Sequence, residues 1–388
     1  MNIVLIHNYY NTPGGEDKVF ATESALLKTW GHKIFTYTFH NKTLENIHIF
    51  KQAVHAIWNH EAYLKIRKTI RTFKPHVVHI HNTFPLASPA VAHAAKAEGV
   101  PVVYTLHNYR LLCVNALLFR EGQVCEDCLG HLPWRGALRG CYRESRAMSS
   151  VVATMLTTHR VLGTWTRIID TYIALTEFSR GKFIEGGIPA EKIVVKPNFI
   201  HPDPGAGEGD GMYALFVGRL SEEKGIETLL AAWELSKPKI PLKIVGEGPL
   251  NSLVAKAANQ ENIQWLKRRS SKEVLKLMQR ATFLILPSIV YENFPMTIAE
   301  AYATGLPVLA SNLGAMASLV DHGRTGLLFH PGDASDLAQK IQWSLGHPQK
   351  LRDMRKEARR EYEMKYTAEY NYKLLMQIYK QTIEGATI

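Results

Sequence analysis

The 388-residue chain reads as an α/β protein built from two doubly wound, parallel-sheet domains, on three observations. Short β-rich runs alternate with helical patterns from end to end, which is the signature of βαβ units. The length is too great for one ordinary domain and comfortable for two, each able to bury a core. One aperiodic stretch rich in Pro, Gly and Asp interrupts the alternation near the middle.

In the first half the strand-like runs are 3–7, 33–37, 77–81, 102–106, 172–176 and 193–196. In the second they are 214–217, 242–245, 263–266, 282–286, 307–310 and 326–329. Residues 1–198 and 212–366 are therefore the two expected Rossmann-like domains, with 199–211 as the linker. The segment 367–388 carries apolar positions at Tyr370, Leu374, Leu375, Ile378 and Tyr379, a helical stripe expected to pack back on the first domain. No repeat of solenoid length is present.

Composition narrows the class. Hydrophobic residues make up 46% and charged residues 21%, as in a folded globular protein. The apolar start Met1-Asn2-Ile3-Val4-Leu5-Ile6 stops at His7 with no basic segment before it and no small-residue cleavage site after it, so it reads as a first strand. No apolar run reaches the ~18 residues of a membrane span, and the expected compartment is the cytoplasm. The net charge of +11 is uneven: residues 1–200 carry 23 Lys and Arg against 14 Asp and Glu. Such a half could face an anionic membrane or another polyanion, or simply be basic and solvated. The segment 58–71 is basic and amphipathic, and could rest on the inner face of a membrane or present a solvated helix face.

Ligands of doubly wound sheets bind beyond the carboxyl ends of strands, so the loops after the strands carry the chemistry. Glu292-Asn293-Phe294-Pro295-Met296-Thr297-Ile298-Ala299-Glu300 follows the run 282–286. Pro295 suits a first helical position, and the amino end of that helix offers free N–H groups and a positive dipole end to a diphosphate. Glu292 stays in the loop, while Glu300 sits inside the helix beside small apolar residues, where a buried carboxylate should have a partner.

Gly218-Arg219-Leu220-Ser221-Glu222-Glu223-Lys224-Gly225 follows the run 214–217, and its two cations can converge on one diphosphate. Gly246-Glu247-Gly248-Pro249 provides another close backbone approach, although it is not the G-x-G-x-x-G dinucleotide pattern. Thr12-Pro13-Gly14-Gly15-Glu16 is a glycine loop opening a helix after the first strand, and His107 stands at the end of 102–106.

Together these pieces, with Asp321-His322-Gly323-Arg324-Thr325-Gly326, resemble the family-four retaining glycosyltransferases of GT-B fold, in which two Rossmann-like domains face each other across a cleft. The resemblance covers nearly the whole chain. It implies an N-terminal acceptor domain and a C-terminal donor domain, with a nucleotide diphosphate sugar as donor, UDP-glucose or another UDP-hexose. It also implies that Arg219 and Lys224 hold the diphosphate, Glu300 the ribose and Glu292 the sugar ring, with the backbone of Asn293, Phe294, Pro295, Met296 and Thr297 nearby. His107 would contact the donor sugar, and Gly14, Gly15 and Gly218 would line the phosphates. The base would meet the loop Lys267-Arg268-Arg269, where a Gly and an apolar or aromatic residue are commoner in the family.

The resemblance implies a front-face displacement with retention of configuration onto a glycan, lipid-linked or other hydroxyl acceptor, without a protein nucleophile or a required cofactor. The chain has no Asp-x-Asp pair, in keeping with cationic side chains rather than Mg²⁺ holding the phosphates. A sugar-nucleotide epimerase of the same fold and a non-catalytic nucleotide-sugar binder are the alternatives; nucleic acid is not an expected partner. Cys113, Cys125, Cys128 and Cys141 cluster in sequence, the middle pair as Cys-x-x-Cys, which could be a structural zinc loop or ordinary reduced thiols.

Overall fold

The computed structural model describes residues 1–11, 14–259 and 262–386. They divide into two compact units: unit 1 comprises 1–118, 126–197 and 371–388, and unit 2 comprises 119–125 and 198–370. In chain order the strands are β1 (Asn2–Tyr9), β2 (Lys33–His40), β3 (Val77–Ile80), β4 (Val102–Thr105), the short β5 (Phe119–Arg120) and β6 (Gln123–Val124), β7 (Thr171–Ala174) and β8 (Ile193–Val195). Then follow β9 (Ala214–Val217), β10 (Leu242–Val245), β11 (Ile263–Trp265), β12 (Phe283–Leu286), β13 (Val308–Ser311) and β14 (Gly326–Phe329).

The sheet of unit 1 has the order β2-β1-β3-β4-β7-β8, and that of unit 2 the order β11-β10-β9-β12-β13-β14. Neighbours in both run parallel. All twelve strand-like runs of the sequence became sheet strands. Helices cover both faces of a parallel sheet, so its inner strands are shielded from water on both sides and mostly apolar. Val77–Ile80, Val102–Thr105 and Phe283–Leu286 are accordingly buried at every position. β2, at an edge, has five exposed residues instead. The antiparallel hairpin of β5 and β6 is too short to leave a periodicity in the sequence.

Each sheet reverses its direction of strand addition once, between β1 and β3 in unit 1 and between β9 and β12 in unit 2. Loops leaving the carboxyl ends of those strands diverge to opposite faces and leave a crevice, the ligand-binding position of such sheets. In unit 2 these are the loops carrying Arg219 and Glu292.

The stretch 199–211 has no regular structure, but it is strapped to unit 2. Gly207 N donates to Thr304 O, Gly209 N to Gln279 O and Gly211 N to Arg280 O. The Arg355 guanidinium ties the same strap through Gly207 O, Ala281 O and Gln279 O at 3.0–3.1 Å. Of the last helix, Ala368–Ala386, the residues from Asn371 on belong to unit 1. Leu375, Ile378 and Tyr379 join Ile3, Leu5, Phe20, Val77, Val103 and Ile173 in one core.

The basic segment 58–71 turns much of its apolar side inward and leaves Leu64 exposed. Most of it lies in the helix His60–Phe73, which buries Ala62, Ile66 and Ile70. The outer Arg67 and Arg71 pair with Glu98 at 2.5 and 2.9 Å.

Glycine is required where the loops of unit 2 press together. A Cβ on Gly246 would lie 1.8 Å from Gly218 O, and one on Gly225 would lie 1.9 Å from Pro287 O. Gly225 also has φ +68°, so a side chain there would be strained even with space to fill. Gly225→Ala is expected to lower stability by about 3 kcal/mol or more, read as a fall in urea midpoint; an unchanged midpoint would show that the two loops are not held at this separation.

Candidate functional site

In unit 2 the loop after β9 places Arg219 in solvent, where its guanidinium makes no hydrogen bond or ion pair among the described residues. Leu220 N donates to Glu247 O, and Leu250 N to Leu220 O, so the Gly246-Glu247-Gly248 turn pins this loop through backbone alone. Lys224 follows in a short 3₁₀ turn whose Gly225 end is left-handed.

The Lys224 ammonium stands 2.5 Å from Glu292 Oε1, with side chains 25% and 13% exposed. Ser288 Oγ donates to the same carboxylate oxygen at 2.8 Å. Oε2 of Glu292 makes no hydrogen bond among the described residues, so half of this carboxylate is open to a hydroxyl. Glu223 O accepts from Ile289 N at 2.9 Å and ties the two loops a second time.

The helix Met296–Ala303 begins one residue later than the sequence suggested. Pro295 caps it, at φ −70° and ψ 103°, instead of occupying its first turn. The Met296 and Thr297 N–H groups at its amino end have no partner among the described residues. Asn293, Phe294 and Glu300 are buried, and the Phe294 ring meets Tyr366 edge-on at 5.9 Å. Gly218 sits beside the Phe216 ring. Arg268 is exposed in the loop after β11, where Lys267 takes a positive φ of 55° and Trp265 Nε1 donates to Gly246 O.

In unit 1, Thr12 and Pro13 lie outside the described residues. Gly14 caps the helix Gly15–Thr29, and its N–H donates to Asp17 Oδ2 at 2.8 Å. Asp17 Oδ1 lies 2.7 Å from His7 Nε2. Glu16, half-buried, accepts from Asn82 Nδ2 at 2.9 Å and from Asn108 Nδ2 at 3.0 Å. Burial pushes its carboxyl up to about 8 against these hydrogen bonds, so Glu16 is mostly a neutral acid at pH 7.

His107, half-buried just past β4, has its Nε2 2.9 Å from His81 Nδ1, and the two rings stack at 5.2 Å. Burial, then His81 and His7, hold its imidazole well below the usual histidine range. Behind it lie the buried side chains of His79, His81, Glu23 and Lys196. Sequence reasoning missed Glu16, Asn82, His81, Glu23 and Lys196. The alternation of His79 and His81 at the end of β3 was the available signal, because one polar residue every second position in a fully buried strand needs partners.

Among the described residues the groups of three or more His, Cys, Asp and Glu side chains close enough to share an ion are Glu23, His79 and His81, and His7, Glu16 and Asp17. The four cysteines are not gathered into such a group. Cys113, buried, instead donates its thiol to Asn115 Oδ1 at 2.9 Å.

Two family models cover most of the chain: one described as "Glycosyl transferase 4-like domain" matches residues 50–198, and one described as "Glycosyl transferases group 1" matches 201–361. An uncharacterized glycosyltransferase of Methanocaldococcus jannaschii is 28% identical over 281 residues, 71% of this chain and 73% of that protein. Glycogen synthase of Mycobacterium tuberculosis is 29% identical over 301 residues, 74% of this chain and 64% of that one. Among solved structures, sucrose-phosphate synthase from Thermosynechococcus elongatus matches with a TM-score of 0.73 at 18% identity, over 99% of each chain. Anabaena HepE, solved in complex with UDP, matches with a TM-score of 0.68 at 18% identity, over 98% of this chain and 100% of that one.

The buried imidazoles make stability depend on acid. Burial lowers His7, His79 and His107, and brings His159 to about 4. Below about pH 6.5 the unfolded chain therefore takes up protons that the folded chain refuses, and stability is lost as pH falls. His159 alone contributes on the order of 3 kcal/mol across this window. Glu16 pulls the other way, but it is one carboxyl against four imidazoles. The melting temperature should therefore fall between pH 7 and pH 5; a flat or rising profile in calorimetry would contradict the neutral, buried assignment.

Proposed function

Because this chain belongs to the family-four glycosyltransferases of GT-B fold, we propose that it moves a hexose from a UDP-sugar, UDP-glucose by preference, to a hydroxyl acceptor. We propose further that the anomeric configuration is retained and that no divalent ion is needed. The carrying observation is the junction of Lys224, Glu292, Ser288 and the open amino end of Met296–Ala303 at the point where the unit 2 sheet reverses. The solution of Anabaena HepE with UDP and with UDP-glucose supports the choice of nucleotide.

The ammonium of Lys224 has three N–H donors, so it can keep Glu292 and still donate to a phosphate oxygen. Arg219, unengaged, supplies the second cation, and the Met296 and Thr297 N–H groups supply neutral donors. Glu292 Oε2 is left to accept from hydroxyls of the hexose, and the buried Glu300 from those of the ribose. Arg268, exposed after β11, is assigned to the base. The family resemblance assigns Gly14, Gly15 and His107 of unit 1 to the donor as well.

As the bond between the anomeric carbon and the phosphate oxygen breaks, its electron pair goes to the leaving UDP, whose growing charge Arg219, Lys224 and the helix end stabilise. The acceptor oxygen bonds to the anomeric carbon on the same face, and its proton passes to the leaving phosphate oxygen. No group on the protein changes covalently.

Among the described residues no helix is long and apolar enough to cross a membrane. The basic excess of the first 200 residues, with Ile49, Phe50 and Val54 exposed on the helix Ile49–Ile57, supports a peripheral contact with an anionic surface, suited to a lipid-linked acceptor.

Arg219→Ala is expected to reduce kcat/KM for transfer by about 2–4 kcal/mol in transition-state terms with folding retained. Lys224→Ala should do likewise, with some loss of stability because it strips Glu292 of its partner. Near-normal turnover in the Arg219 variant would remove it from the clamp.

The two acids separate by calorimetric titration. Glu300→Ala should weaken free UDP and UDP-sugar alike, by about 1.5–3 kcal/mol, whereas Glu292→Ala should leave free UDP nearly unchanged while lowering transfer. Equal weakening of free UDP in both variants would assign both acids to the nucleotide or to the fold.

A further inference from the structure

The buried side chains behind His107 form a continuous polar chain that the proposed reaction does not use. Lys196 Nζ lies 3.1 Å from Glu23 Oε2 and 3.0 Å from Asn371 Oδ1. Glu23 Oε1 lies 3.2 Å from His81 Nε2 and 3.3 Å from His79 Nδ1. The His81 ring reaches His107 through the 2.9 Å contact between Nδ1 and Nε2. Every member of the chain behind His107 is buried.

A cation is one reading of Glu23, His79 and His81, and the donor atoms argue against it. Both ring nitrogens of His79 are engaged, with Tyr379 OH and with Thr105 Oγ1, each at 2.7 Å. An ammonium group already neutralises Glu23, and a second cation a few ångströms away would be repelled in a medium of low polarity. The cluster instead orders protons.

The order follows from one end. Burial works against a charged Glu23, yet the Lys196 ammonium, with His81 and His79, holds its carboxyl well below the usual range. The 3.2 Å contact of Glu23 Oε1 with His81 Nε2 lies outside hydrogen-bond geometry and acts as a charge contact; a carboxylate there favours hydrogen on Nε2, because a bare Nε2 would set two lone pairs against each other. A His81 whose only ring hydrogen is on Nε2 has a bare Nδ1. The nitrogen that meets it, His107 Nε2, must then be the donor. This leaves His107 Nδ1 bare, and it has no partner among the described residues.

We propose that Glu23 and His81 are positioning residues that lock His107 in its Nε2–H form and fix its ring, so that Nδ1 is a standing acceptor for a substrate hydroxyl. The identity of that hydroxyl as a sugar's rests on the functional reading above; the proton order does not. His107 then acts by accepting a hydrogen bond, and the proton on its inner nitrogen stays inside the protein. The arrangement follows the general rule that the hydrogen bond on one imidazole nitrogen decides what the other can do.

The test is nuclear magnetic resonance on the intact protein carrying ¹⁵N-labelled histidine, with the two rings assigned from His107→Ala and His81→Leu. The expected result is a coupling across an N–H···N bond between the rings, with the proton on His107 Nε2 and with His107 Nδ1 at the shift of an unprotonated nitrogen. A proton on His81 Nδ1, or no coupling, overturns the proposal whether or not the chain transfers a sugar.

The variants give a second readout. His81→Leu should slow transfer at saturating donor by on the order of tenfold, with UDP affinity unchanged. His81→Asn, whose amide oxygen can stand near the former Nδ1 and accept from His107, should recover most of the rate. Equal rates for the Leu and Asn variants would reduce His81 to a packing role. If the unmodified protein transfers nothing from any UDP-sugar while the coupling is present, the proton order stands and the functional reading fails.

Discussion

A half-buried carboxylate at the reversal of the unit 2 sheet has to be neutralised, and the 2.5 Å pairing of Lys224 with Glu292 does this. The pair draws together two loops that leave neighbouring strands. Removing one partner would leave a charge in a place water reaches poorly, which is why such pairs cost more to break than they contribute when intact. The backbone closes the same junction: Gly225 lies against Pro287, and Ile289 N donates to Glu223 O. Side-chain charge and glycine close contact thus act on one spot, where the loop carrying Arg219 joins the loop that leads into the helix Met296–Ala303.

Unit 1 solves a different problem. Its strand ends are crowded with imidazoles and carboxyls that sit largely out of water and face one another, leaving His7 Nδ1, Glu23 Oε1 and His81 Nε2 outside hydrogen-bond geometry. Lys196, arriving at the end of β8, meets Glu23 on the first helix, which faces His79 and His81 at the end of β3. The last helix completes the set through Tyr379 and Asn371. The result is a rigid polar interior holding His107 neutral, with one nitrogen committed inward.

The strands were legible because each is a short apolar run between helical patterns, a signal local in sequence. The hairpin of residues 119–124 was not, since two-residue strands carry no period. At the site, Arg219, Lys224 and Glu292 could be read as residue types at loop positions and Glu300 as one inside the helix that follows, because glycines and a proline mark the loops. Their pairing could not: nothing local says that Lys224 meets Glu292 across 68 residues. Glu23 and Lys196 were less visible still, since a single charge on a helix and one at a strand end resemble surface residues, and only the tertiary fold brings them together across 173 residues. The stretch 199–211 reads as a linker from composition, yet its backbone is bound to unit 2 through carbonyls that no sequence pattern announces.

The central claim is that this chain binds a uridine diphosphate sugar through charged side chains and helix N–H groups. A thermal-shift panel of UDP, UDP-glucose, ADP, ADP-glucose and GDP in the presence of EDTA tests it most directly. A ligand at about 100 times its dissociation constant stabilises by about 2.7 kcal/mol. The account predicts that UDP and UDP-glucose raise the melting temperature of the unmodified protein under these conditions, and that Arg219→Ala shrinks both shifts. A melting temperature unmoved by every nucleotide, or moved only when Mg²⁺ is restored, would contradict it.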